Sequence, residues 1–249
     1  MEEQDNIQQE RLVGVFSIQR KAKIGSGATA RRVEQTGYYY AEERPDGVIE
    51  MQGLSDAHLP VGPKIEINKE DLLRDYMPEP GVYQKDVLPK LREIQKAVAR
   101  GDKFRKRGET FTAEFEYSKA LSIDEQNVRA NFGIGICYLQ RGDSKKAHEV
   151  FERVVKIDAA FEKEHKHLFN EFGINLRKGR MFDEAVDYYK RALALTQDDE
   201  NLFYNLARAY YEKGEPAKAA ENLKTCLTMN PGHEEGKAFL DHLKAKKLA

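Results

Sequence analysis

The feature that most constrains this 249-residue chain is a spacing that recurs every 34 residues, with one step of 38. Alanines stand at Ala113, Ala147, Ala185 and Ala219, and four positions beyond each is a large side chain: Tyr117, Phe151, Tyr189 and Leu223. Upstream lie small residues at Gly101, Gly135, Gly173 and Ala207, each followed three positions later by Phe104, Tyr138, Leu176 or Tyr210. A glycine then closes the first half of each period, at Gly108, Gly142, Gly179 and Gly214. The second halves end on Ala120-Leu121, Val154-Val155, Ala192-Leu193 and Cys226-Leu227, and Pro231, which cannot continue a helix, follows the last. Separations of three and four place side chains on one face of a helix, so each period reads as two helices. Small residues let the pair approach closely, and the large side chain fills the seam above. One pair cannot bury its apolar face alone, so the units must stack.

Between residues 94 and 233 the pattern resembles the tetratricopeptide repeat, most specifically in Phe-Tyr-Asn-Leu-Ala-Arg-Ala-Tyr-Tyr-Glu-Lys-Gly at 203–214. The repeats are read as 94–127, 128–161, 166–199 and 200–233. The first departs from the family, with Ala97 and Arg100 where it prefers a large aromatic and Leu. Residues 162–165 break the period and are read as an extra turn on the first helix of repeat three, where Gly179 also falls one position early. The resemblance implies a mainly α fold: a right-handed superhelical array of helix hairpins with a capping helix at 234–249. In that cap Phe239, Leu240 and Leu243 face the last repeat, and Lys237, Lys244, Lys246 and Lys247 face water.

Residues 11–82 read as a small β-rich module after an acidic, polar and disordered start (1–10). Strands are expected at 12–18, 38–42, 48–51 and 63–67. Arg44-Pro45-Asp46-Gly47 suits the turn of a hairpin. Asn68 can cap a short helix running to about Tyr76, with Asp71 three positions on. Met77-Pro78-Glu79-Pro80-Gly81 then breaks the chain, and a long helix starts near Asp86. Residues 21–32 read as a flexible basic loop. They lack the Gly-Lys-Ser/Thr that ends a phosphate-binding P-loop, and Ser26 and Thr29 are weak candidates for phosphorylation. A module of this size buries too little surface to be secure alone.

Composition bounds the function. There are 41 basic and 42 acidic residues, so a polyanion such as nucleic acid is not expected as obligate partner. No secretory signal and no span of the ~18 apolar residues a bilayer requires is apparent, which points to the cytoplasm. Cys137 and Cys226 are isolated and sit in slots that take small residues, so neither a disulfide nor a zinc site is expected. His165 and His167 are two apart and diverge on a helix, and His58, His148, His233 and His242 each stand alone. No catalytic constellation, cofactor or metal is expected.

In arrays of this family the first helices line a concave groove. Its floor here would carry Phe132, Gly133, Ile136 and Leu139 in repeat two and Asn170, Glu171, Ile174 and Arg177 in repeat three. Repeat four would supply Tyr204, Asn205, Arg208 and Tyr211. Amides can bond both ways with a peptide backbone, arginines can hold a carboxylate bidentately, and aromatics supply hot-spot area. Chaperone-binding members hold a C-terminal carboxylate with Lys and Asn, but those positions fall on Val98 and Asp102 or on Phe132 and Ile136, so that clamp is not expected. The expectation is a non-enzymatic adaptor that binds a peptide or helix of another protein in this groove. The alternative is a self-assembling structural protein that oligomerises through the β module or the cap helix. An enzyme with its site in residues 1–93 gains support only from the glycine-serine loop.

Overall fold

Residues 11–24, 31–157, 160, 165–195 and 199–248 are described by the computed structural model, in two units that divide between Glu93 and Ile94. The first is built on an antiparallel sheet of order β4-β3-β2-β1-β5, from β1 (Val13–Ile24), β2 (Arg31–Glu43), β3 (Ile49–Leu54), β4 (Pro60–Ile67) and β5 (Met77–Pro78). Side chains alternate across a strand, so Ile49 and Met51 share a face, and Met51 pairs with Ala41. That face also holds Phe16, Leu72 and Tyr76 in one buried cluster. Leu72 comes from α1 (Lys69–Asp75), whose N-cap is Asn68: its Oδ1 accepts from the Asp71 N–H at 2.8 Å. The β2–β3 turn falls at 44–47 as expected. Arg44 N–H donates to the Val48 carbonyl at 2.8 Å, and Gly47 takes the left-handed conformation at φ +83°.

Three local expectations change. The strands are longer than 12–18 and 38–42, and Lys21–Ile24 and Arg31–Arg32 belong to the β1–β2 ladder rather than to a loop. Ladder hydrogen bonds are made by the backbone and do not depend on side-chain charge, so a basic run is no barrier to a strand. Ser26 and Thr29 lie outside the described residues, as does the N-terminal segment expected to be disordered. The breaker at 77–81 splits into β5 and the start of a helix. That helix begins at Pro80, not Asp86, because proline is pre-set for the first helical position. It runs as α2 (Pro80–Val82), a π turn (Tyr83–Val87) and α3 (Leu88–Lys106).

The second unit is helical. From Ile94 onward α3 belongs to it, followed by α4 (Thr110–Ile123), α5 (Val128–Arg141), α6 (Ser144–Val154), α7 (Lys166–Lys178), α8 (Phe182–Leu195), α9 (Glu200–Lys213), α10 (Pro216–Met229) and α11 (Glu234–Ala245). The small slots are where helices touch. A Cβ on Gly101 or Gly173 would stand 2.6 Å from the ring of Tyr117 or Tyr189. These tyrosines occupy the large slot of repeats one and three. α7 starts at Lys166 behind its N-cap His165 and has 13 residues against 14 in α5 and α9, and residues 162–164 of the expected extra turn lie outside the described residues.

The early glycine of repeat three has a backbone consequence. Gly108, Gly142 and Gly214 are left-handed, with φ of +80°, +73° and +92°. Gly179 is not, at φ −76°, and the left-handed position passes to Arg180 at φ +62°. A side chain there is strained by roughly 1 kcal/mol. Arg180→Gly is therefore expected to raise stability by about 1 kcal/mol, read as a higher urea midpoint at unchanged slope.

Candidate partner-binding site

The predicted groove residues separate into two groups. Phe132 and Ile136 are each 0% exposed and belong to the core, which corrects their assignment to an open surface. Phe132 packs against Phe172 of α7, with ring centroids 5.5 Å apart, and edge-on to Tyr188 of α8 at 6.5 Å. Arg105 of α3 also reaches Glu171 of α7, with Nη1 2.5 Å from Oε1 and Nη2 3.3 Å from Oε2. The physical reason is close approach at small residues. Gly135 is so near Phe172 that a Cβ would come within 2.6 Å of it, and Gly133 is covered by the Tyr117 ring. Leu139 is half-buried and packs against Gly179. Arg177, 7% exposed, is ion-paired to Glu212 of α9 and is likewise withdrawn from a ligand.

The second group is accessible. Asn170, Ile174, Tyr204, Asn205, Arg208 and Tyr211 are half-buried. The Asn170 Oδ1 is enclosed and has no hydrogen-bond partner among the described residues. Tyr204, Arg208 and Tyr211 of α9 line a cavity of about 420 Å³ with Glu212, Phe239 and His242. Phe239 and His242 come from α11. Phe239 meets Tyr211 edge-on at 5.3 Å and Tyr204 at 6.5 Å. The expected burial of Leu240 and Leu243 is observed, while Phe239 is half-buried and forms a wall of this cavity. The same 34-residue step that relates the repeats carries Asn205 to Phe239 and Arg208 to His242. The signal for both was in the sequence, but Pro231 marked the apparent end of the array. A wider cleft of about 580 Å³ between α4, α5 and α6 is lined by Tyr138, Lys146, Glu149 and Arg153 among others. Its Arg153 is already held by Asn131 Oδ1 at 2.5 Å.

Charge favours an anion in the α9–α11 cavity. Arg208 lies over the Tyr204 ring, 5.8 Å from its centroid, and makes no ion pair among the described residues. The negative charge of Glu212 is balanced by Arg177. Beneath Arg208 is an unsatisfied donor. In repeat one the Tyr117 hydroxyl donates to Asp102 Oδ1 at 2.7 Å, and Arg129 Nη2 lies 2.6 Å from the other carboxylate oxygen. Two repeats on, Tyr117 corresponds to Tyr189 and Asp102 to Ile174. The Tyr189 hydroxyl is buried with no hydrogen-bond partner among the described residues. Burial pushes its phenol well above the ordinary range, and the charges of Arg177 and Arg208 pull the other way.

Among the described residues no cluster of three or more His, Cys, Asp or Glu could hold a metal ion, and no helix is long and apolar enough to cross a membrane. Cys137 is 0% exposed, and burial, its largest influence, pushes the thiol up to about 11. Burial likewise raises Cys226. Burial therefore favours the protonated thiol over the reactive thiolate at both cysteines. Neither cysteine is expected to react with a disulfide reagent in the native protein, and both should react once urea unfolds it.

Comparison with known proteins agrees with the packing. A family described as "TPR repeat" matches residues 178–230, and one described as "Tetratricopeptide repeat" matches 128–161. Tetratricopeptide repeat protein 14 of Mus musculus is 36% identical over 105 residues, covering 41% of this chain and 14% of its own length. TPR repeat-containing protein MJ1428 of Methanocaldococcus jannaschii is 26% identical over 138 residues, covering 53% of this chain and 24% of its own. The chain thus spans under a quarter of the length of either relative. The solved structure titled "Functional Characterization of Pseudomonas Aeruginosa pilF" is 20% identical, covers 64% of this chain and 71% of that one, and gives a TM-score of 0.48. Small slots filled by tyrosine rings, paired helices at the 34-residue step and two repeat matches agree: the helical unit is an array of tetratricopeptide repeats.

Proposed function

We propose that this chain is a protein-interaction adaptor whose α9–α11 cavity takes a segment of a partner carrying a carboxylate beside an apolar side chain. The observation that carries the reading is the lining itself. Three aromatic rings, Tyr204, Tyr211 and Phe239, line the cavity together with Arg208, whose charge no ion pair offsets among the described residues. The rings supply apolar area and the guanidinium supplies a bidentate donor. Asn205, half-buried on α9, supplies an amide that can bond both ways with an extended backbone.

A photo-crosslinking amino acid at Tyr211, compared with one at the exposed Asp187 of α8, tests this in native extract. A discrete adduct is expected from position 211 alone. Adding Arg208→Glu should reduce it at least tenfold, because it turns attraction for the carboxylate into repulsion. Equal adducts from both positions, or indifference to Arg208→Glu, would remove the assignment.

One observation favours self-assembly as a second reading. Phe111 and Phe115, one turn apart on α4, are 76% and 61% exposed. Sedimentation velocity at rising concentration distinguishes the readings. Association that is abolished by Phe111→Ser with Phe115→Ser supports assembly through α4, and a persistent monomer rules it out.

A further inference from the structure

We propose that the distal half of the β1–β2 ribbon is a docking arm that takes an acidic, extended segment of a partner protein as an added strand. The ladder is uneven. β3 reaches β2 only as far as Tyr39, and β5 reaches β1 only at Phe16 and Ser17. Beyond them Ile18–Ile24 and Arg31–Gly37 pair with each other, and no further strand joins either among the described residues. At ~3.3 Å per residue this two-stranded stretch is about 23 Å long. Gln19, Arg20, Gln35 and Thr36 along it are exposed. A two-stranded ribbon is marginal in water without a third strand or a packed face. Each of its outer edges also presents backbone N–H and C=O groups that the ladder leaves open. An extended segment laid along either edge satisfies those groups and supplies the missing strand.

Charge selects the occupant. The stretch carries Arg20, Lys21, Lys23, Arg31 and Arg32 against one acid, Glu34. A second copy of the ribbon brings like charges face to face, which opposes pairing, so a homodimer through this arm is disfavoured. An acidic segment places opposite charges across the new strand pair. Nucleic acid would meet the charges but leave the backbone edge open. The arm lies within the first unit.

The test uses the full chain and a fluorescent peptide of about ten residues alternating glutamate and threonine, a length that spans the ribbon. Its controls are the same peptide with lysine for glutamate and a DNA duplex of about 20 base pairs. Fluorescence anisotropy is expected to show binding of the acidic peptide that weakens at least tenfold between about 50 and 500 mM salt. Hydrogen exchange is expected to slow at backbone amides of 18–24 and 31–37. Arg20→Glu with Lys23→Glu and Arg32→Glu should cost at least a further tenfold, while exchange at Ala41 and Met51 stays slow as a check that the sheet is intact. Should that variant lose the sheet, the milder Arg20→Gln with Lys23→Gln is measured, with a weakening of at least threefold expected. The proposal is overturned by no binding, by binding without added protection, by equal binding of the lysine peptide, or by tighter binding of the duplex than of the acidic peptide.

Discussion

Replacing Phe132 by alanine is expected to destabilise the helical unit by about 3–4 kcal/mol, the range for removing a buried phenylalanine. The ring has no exposed area and meets Phe172 and Tyr188, so its loss opens a cavity between α5, α7 and α8. An equivalent change at Tyr204, which stands in the corresponding slot two repeats on, removes a half-buried ring and should cost about 1 kcal/mol or less. Urea unfolding of the two variants checks the contrast. A loss below about 1 kcal/mol for Phe132→Ala would return this residue to an accessible groove and sink the core assignment.

That contrast shows what the sequence could and could not convey. Spacing alone identified the helix pairs, the small slots and the aromatics above them, because these depend on helix geometry common to every repeat. Phe132 and Tyr204 are indistinguishable at that level. What separates them is the next first helix. α7 presents Phe172 to Phe132 and closes over it, whereas α11 meets Tyr204 through Phe239 and its N-cap His233 and leaves a cavity beside the ring. Slot arithmetic records which face a residue is on, not what fills the space opposite. The omission of Phe239 and His242 has a different cause, since the 34-residue step reaches both and only Pro231 argued against taking it further. In the first unit the turn at 44–47 and the Asn68 cap were legible because each is specified by residues within four positions. The length of β1 and β2 was not, because it rests on a partner strand across the hairpin and on backbone bonds that basic side chains do not announce.

The same substitution at two equivalent tyrosines should have opposite effects. Tyr117→Phe removes a hydroxyl that donates to Asp102 and leaves that buried carboxylate short of a donor. A hydrogen bond to a charged group is worth ~1.5–3 kcal/mol, so a loss of about 2 kcal/mol is expected. Tyr189→Phe removes a hydroxyl that is buried with no hydrogen-bond partner among the described residues. Taking away an unsatisfied donor is neutral or stabilising, by up to about 1 kcal/mol. The two variants should therefore differ by about 2–3 kcal/mol in unfolding free energy although the atoms deleted are identical. Equal losses would mean that Tyr189 has a partner equivalent to Asp102. The missing element can also be supplied, because Ile174 occupies the position that corresponds to Asp102. In an Ile174→Asp background the Tyr189 hydroxyl gains an acceptor and Arg208 gains a nearby opposite charge. Tyr189→Phe should then become destabilising, with a coupling of about 1–2 kcal/mol in the double-mutant cycle. The installed carboxylate should also compete with a partner's carboxylate for Arg208, so Ile174→Asp is expected to lower the yield of the adduct formed at position 211. An unchanged adduct alongside a measurable coupling would place the partner's carboxylate away from Arg208 while leaving the Tyr189 reading intact.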